Sequence, residues 1–189
     1  MAVLPIHILG SKSLEAKTKE VVDLTPDVVG NIKTLFDTLK SASGSGLAAC
    51  QVGINQSMFV IDLAYIPEED NAELELNNEF KKPMVFINPV IEKEWDSCVM
   101  EEGCLSIPKL TADVKRAKNV RITYRDGNFN QHTLETGGYL ARVLQHETDH
   151  LNAVLYINRL NSIRKLKIKS ALKKIRKGDF SAKYKFTFG

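Results

Sequence analysis

Apolar residues recur at helical spacing in three stretches of the chain. Thr25-Pro26 reads as an N-cap and first helical residue, and Val28, Val29, Ile32, Leu35, Phe36 and Leu39 follow on one face, up to Ser41-Ala42-Ser43. Leu140, Val143, Leu144 and Leu151 mark a second helix, with Thr136 as its expected cap. Asn161 and Gly178 bracket a third, with Leu166, Ile168, Leu172 and Ile175 as its apolar side. Between these lie strand patterns. The opening segment reads as extended, and Ser57 to Leu63 and Met84 to Ile91 are apolar runs, the latter holding Pro89, which argues for an edge or a bulge. Strands are also expected at Val114, and at Asn119 to Tyr124 with Val120, Ile122 and Tyr124 on one face. Asp126-Gly127 then turns a hairpin whose return strand runs to Leu134. Val154 to Ile157 reads as a further strand, and Ala182, Tyr184, Phe186 and Phe188 alternate in residues 179–189 as a terminal one.

Two stretches have neither period. Gly44 to Gly53 is dense in small residues. A flexible linker would contain such glycines, but Leu47, Ala48, Ala49 and Val52 are apolar and read as buried, so the segment lets backbone approach something closely. Tyr65 to Phe80 is acidic and poor in core residues, and reads as a solvated loop without chemistry.

Composition bounds the picture. With 189 residues, 43% hydrophobic and 26% charged, the chain fits a single soluble domain, residues 1–189, with a full core. The N-terminus lacks a basic leader, and Pro5 and His7 break its apolar run, so no signal peptide is expected there. No apolar run approaches a membrane-spanning length. Cys50, Cys98 and Cys104 are too few for a disulfide framework, which fits a reducing cytoplasm. The net charge of +3 names no partner. Its distribution is more telling, because Arg164, Lys165, Lys167, Lys169, Lys173, Lys174, Arg176 and Lys177 crowd the last helix. That face is either a solvated flank or a footprint for phosphate backbone.

The candidate chemistry centres on Gln145-His146-Glu147-Thr148-Asp149-His150. His146 and His150 stand four apart on one helical face, where two imidazoles can hold one metal, and Glu147 sits beside them as a base without having to ligate. Such a spacing arises by chance in roughly one chain of this length in two hundred, so a third ligand elsewhere must decide its meaning. Cys104, in Glu102-Gly103-Cys104-Leu105-Ser106, is either that ligand or a buried structural thiol. A zinc peptidase would take its third ligand downstream, yet no histidine follows His150. A ribosome-associated binding protein with a structural metal would need neither Glu147 nor Gln51.

Taken together and in order, Gly44 to Gln51, Glu102 to Ser106 and Gln145 to His150 resemble the three motifs of the peptide deformylases: G-x-G-x-A-A-x-Q, E-G-C-L-S and Q-H-E-x-D-H. Every fixed position is matched, and the likeness covers most of residues 5 to 160. The departures are Cys50 where the family usually has proline, Ala153 where glycine is frequent, and Gly10 to Glu15 in place of Asp-Pro-x-Leu-Arg. Ala153 would cost up to about 1 kcal/mol if its backbone is left-handed. The resemblance implies an α+β fold of mixed, mainly antiparallel sheets around a central metal-binding helix, with an N-terminal and a C-terminal helix (the latter spanning 161–178). It implies that Cys104, His146 and His150 are metal ligands with water in the fourth place, and that Glu147 is the general acid and base. The Gln51 amide and the Leu105 N–H would be the oxyanion donors. A peptide would lie as an added strand along Gly44, Ser45 and Gly46 with Gly103 opposite, and Tyr139, Arg142 and Val143 would line a methionine pocket. The implied activity removes the formyl group from formyl-methionine of new polypeptides, releasing formate. The implied metal is Fe²⁺, though Zn²⁺ suits the same ligand types. The implied partners are nascent chains and, through the basic helix, the ribosome, with neither DNA nor membrane.

Overall fold

In the computed structural model, residues 2–64, 66 and 78–189 are described, so the acidic segment expected as a loop lies mostly outside the described residues. The core is a five-stranded antiparallel sheet. It comprises β2 (Gly46–Ala48), β3 (Met58–Ile61), β4 (Met84–Trp95), β7 (Asn119–Arg125) and β8 (Gln131–Gly137), in that spatial order. Helices cover both faces. Ala48, Phe59, Ile61, Phe86, Val120 and Ile122 point to one side, where α2 (Gly138–Leu151) contributes Leu140, Ala141, Leu144 and Leu151. The alternate residues Leu47, Met58, Val60 and Ile87 meet Val28, Leu35 and Leu39 of α1 (Pro26–Ala42) on the other. This double cover explains why β3 reads as an unbroken apolar run rather than an alternating one: all four of its residues are buried.

A separate hairpin, β5 (Cys98–Cys104) with β6 (Ile107–Arg116), stands against the open side of α2. Beneath it, α3 (Ser162–Arg176) packs Ile168, Leu172 and Ile175 into a third cluster, while Leu166, expected on that side, is exposed. The last strand, β9 (Phe186–Thr187), pairs in parallel with β1 (Ile6–His7).

The caps explain the helix ends. The Thr25 hydroxyl accepts from the Val28 N–H, the Asn161 side chain accepts from the Arg164 N–H at 2.9 Å, and Gly178 takes a left-handed turn with φ 78° after α3. Pro89 falls where the β4–β7 register shifts, next to Asn88 with φ 49°. Since β4 lies between β3 and β7, the bulge expectation holds and the edge expectation does not.

Two further expectations are corrected. Thr136 does not cap α2: it belongs to β8, which runs straight into the helix through Gly137, and Gly138 takes φ 59°. The sharp turn from strand to helix occupies the positions a side-chain cap would need. Val154 to Ile157 is not a strand. The Asn158 side chain accepts from the Leu155 N–H at 2.8 Å and winds Tyr156–Arg159 into a 3₁₀ turn whose apolar residues are buried. Burial alone, without a period, is ambiguous between the two.

Ala153, just past α2, has φ 59°, so the strain expected of a non-glycine residue there is present. Ala153→Gly should raise stability by about 0.5–1 kcal/mol in chemical denaturation, with an unchanged slope against denaturant.

Candidate active site

α2 carries the two histidines, and it is the most enclosed helix of the fold: of its residues, only Tyr139 and His146 escape full burial. The rings of His146 and His150 stand 4.9 Å apart between centroids at an interplanar angle of 73°. Cys104 closes β5 against them, with its Sγ 3.3 Å from His150 Nε2, and one ligand atom from each of the three residues lies within 4.8 Å of the others.

Glu102 lies two positions before Cys104 on β5 and accepts from His146 Nδ1 at 2.9 Å, which leaves Nε2 of that ring to ligate. The same carboxylate takes a two-pronged pairing from Arg116 at 2.6 and 2.9 Å and a third guanidinium contact from Arg142 at 2.7 Å. Arg116 also reaches Asp149 at 2.6 Å, and Asp149 in turn accepts from Arg159 at 2.5 and 2.6 Å. Burial opposes ionisation of Glu102, yet the hydrogen bonds from His146 and Arg116 hold it well below the usual carboxylate range.

The donor chemistry fits a divalent transition metal. A sulfur and two imidazole nitrogens form a three-ligand set that leaves a further coordination position. Burial holds His150 well below its ordinary pKa, which keeps its ring neutral with a lone pair to give. Burial also opposes charge on His146, but its hydrogen bonds with Cys104 and Glu102 prevail and push it up to about 10. A cation bound at Nε2 of that ring would displace its proton.

Glu147 faces the other way, toward β2. Its carboxyl lies so near Gly46 that a Cβ there would stand 2.7 Å from Oε1 and 2.9 Å from Cγ and Cδ. The small residues of this segment therefore serve close approach, as their composition suggests. Oε2 is buried without a hydrogen-bond partner, and burial raises the carboxyl to about 7. Gln51 lies in a 3₁₀ turn just after β2. The Ala48 N–H donates to its carbonyl oxygen at 2.8 Å, which turns its amide nitrogen toward Cys104 Sγ at 3.6 Å and Ser106 Oγ at 3.2 Å.

The polypeptide deformylase family model matches residues 3–166. The peptide deformylase of Cytophaga hutchinsonii is 41% identical over 98% of this chain and 97% of that protein. The chain belongs to the polypeptide deformylase family. The Salinibacter ruber peptide deformylase is 40% identical over 96% of this chain and 93% of its own. Among solved structures, the peptide deformylase of Ehrlichia chaffeensis in complex with actinonin is 30% identical, with a TM-score of 0.82 over 96% of this chain and all of that one. As a family member the chain is a metal-dependent hydrolase that removes N-terminal formyl groups from nascent peptides.

A cleft of about 590 Å³ opens beside Glu147, lined by every residue expected in the site from the sequence except His150. Tyr139 and Ser45 share a hydroxyl contact at 2.7 Å on one wall. Arg142, expected in a methionine pocket, does reach the wall, but its guanidinium is committed to Glu102 and to the carbonyls of Val114 and Cys98. Sequence reasoning missed Arg116 and the roles of Glu102 and Asp149. Both acids stand inside the deformylase motifs, and that placement was the available signal. Nothing local marks Arg116.

Glu102→Gln should weaken metal binding about 10- to 100-fold in chelator competition, because it loosens the partner that orients His146. It should also cost about 3 kcal/mol of stability, because Arg116 and Arg142 lose a buried countercharge.

Proposed function

We propose that residues 1–189 form one catalytic domain in which Cys104, His146 and His150 hold the cation of this deformylase, and Glu147, Gln51 and Leu105 carry the hydrolysis. The juxtaposition of those three ligand atoms beside a buried carboxyl with an unpartnered oxygen is the observation that carries this reading. The resident cation is assigned as Fe²⁺ from the family likeness, and Zn²⁺ suits the same donors. When bound, such an ion supplies Lewis acidity that brings proton loss from a water toward neutral pH.

The chain's own residues do the rest. Glu147 accepts the proton of the attacking water through its unpartnered Oε2 and later delivers it to the departing amine nitrogen, since an amine must be protonated to leave. A carboxyl raised to about 7 is matched to both halves of that task. As the formyl carbon becomes tetrahedral, negative charge grows on its oxygen. The Gln51 amide, already oriented by Ala48, and the Leu105 N–H are the donors we assign to it. β2 is the edge of the five-stranded sheet, so Gly44, Ser45 and Gly46 offer backbone to an added peptide strand with Gly103 across the cleft. Tyr139 and Val143 are the side chains we assign to the methionine pocket. Arg142 supports that wall from behind.

Lys165, Lys169 and Lys173 repeat every fourth residue along α3 and, with Lys177 at its C-cap, form a cationic stripe. We assign this stripe to ribosomal RNA, which would bring the enzyme to nascent chains in the cytoplasm. No described helix is long and apolar enough to cross a membrane.

Protein purified without oxygen should carry one iron per chain by elemental analysis, and Glu147→Ala should retain it while releasing formate from a formyl-methionyl peptide about 10²- to 10⁴-fold more slowly. Turnover at the native rate in that variant would reject Glu147 as the acid-base. Replacing Lys169, Lys173 and Lys177 by glutamate should weaken ribosome co-sedimentation at least tenfold and leave free-peptide turnover unchanged. A parallel loss of turnover would make the stripe part of the site's support instead.

A further inference from the structure

The tip of the β5–β6 hairpin carries both Cys104 and Leu105, yet the ladder that should fix it is interrupted, because the register shifts between Gly103 and Cys104. Its position depends on groups from elsewhere. The Gln51 amide donates to Ser106 Oγ at 3.2 Å, and the Leu9 N–H donates to the Ser106 carbonyl at 2.9 Å. A further contact comes from the C-terminal tail: the Tyr184 hydroxyl donates to the Leu105 carbonyl at 2.6 Å.

The tail is anchored to reach that point. The Ile6 N–H donates to the Lys185 carbonyl and the Ile8 N–H to the Thr187 carbonyl, both at 2.9 Å, so the pairing of β9 with β1 pins the residue next to Tyr184. The tyrosine ring packs against the cluster that holds Leu47 and Leu39. Ser181 to Tyr184 therefore form one wall of the cleft, facing the hairpin tip.

Holding the Leu105 carbonyl restricts rotation about the Leu105 Cα, and the N–H assigned to the oxyanion leaves that same residue on the other side. We propose that Tyr184 is a positioning residue for the hydrolysis: its hydroxyl fixes the hairpin tip so that the Leu105 N–H is aimed before charge develops, which makes the C-terminal tail part of the active site. This rests on the role assigned above to Leu105. A bond that merely docked the tail would stabilise the fold without distinguishing ground state from transition state.

Tyr184→Phe keeps the ring and removes only the donor. With formyl-Met-Ala-Ser as substrate, kcat should fall at least tenfold while KM stays within twofold and metal content is unchanged. Amide hydrogen exchange, which needs no turnover, should accelerate at least fivefold at residues 104–107 and remain unchanged at residues 112–115. A kcat within twofold of native, a loss confined to KM, a fall matched by lost metal, or unchanged exchange at the tip would each overturn the proposal. If the native protein released no formate, the assigned function would fail. The exchange result would then still decide whether Tyr184 holds the tip.

Discussion

The site depends on one buried carboxylate with several partners. Glu102 receives Arg116 from the neighbouring strand of its own hairpin, and Arg142 and His146 from α2. Buried charges are tolerated only when paired, and here the pairing is mutual: each guanidinium needs the hairpin and helix in one relative position. That position places the sulfur of Cys104 near the rings of α2. Asp149 extends the network to Arg159 beyond the helix, so both ends of the ligand-bearing segment are tied to the same set of charges. Relative to a total stability of about 5–15 kcal/mol, one uncompensated charge here is a large fraction.

A second constraint acts from the opposite side of α2. The sheet is covered on both faces, which leaves the three-residue edge strand β2 little space, and Gly46 admits the Glu147 carboxyl where any side chain would collide with it. The same enclosure that forces this contact removes water from the carboxyl and raises its proton affinity. The packing and the raised proton affinity of this carboxyl therefore have one cause.

The features legible in the sequence were those whose causes are local. Thr25, Asn161 and the apolar periods located the helices because capping and amphipathicity act within a few residues. The three motifs marked Cys104, His146 and His150, which the fold brings together, because metal chemistry restricts residue types. Contacts across the fold left little trace. Arg116 meets Asp149 across 33 positions, and nothing near either residue announces it. The stretch from Val154 to Ile157 was misread as strand because its burial reflects the hairpin and α3 packing around it rather than a period of its own. The alternation of the tail suggested a strand, of which Phe186–Thr187 alone form one, and its partner β1 and its reach to Leu105 depend on where the sheet and hairpin end up.

The pairing of β1 with β9 joins segments from opposite ends of the sequence through only two residues on each side. Such a contact carries nearly the largest loop-closure entropy the chain can incur and gains few ladder bonds in return, so it is expected to form last and to fray first. The short ladder therefore relies on the Tyr184 side chain, whose ring packs with Leu39 and Leu47 and whose hydroxyl meets the Leu105 carbonyl, to keep this wall of the cleft in place beside the cluster of Cys104, His146 and His150.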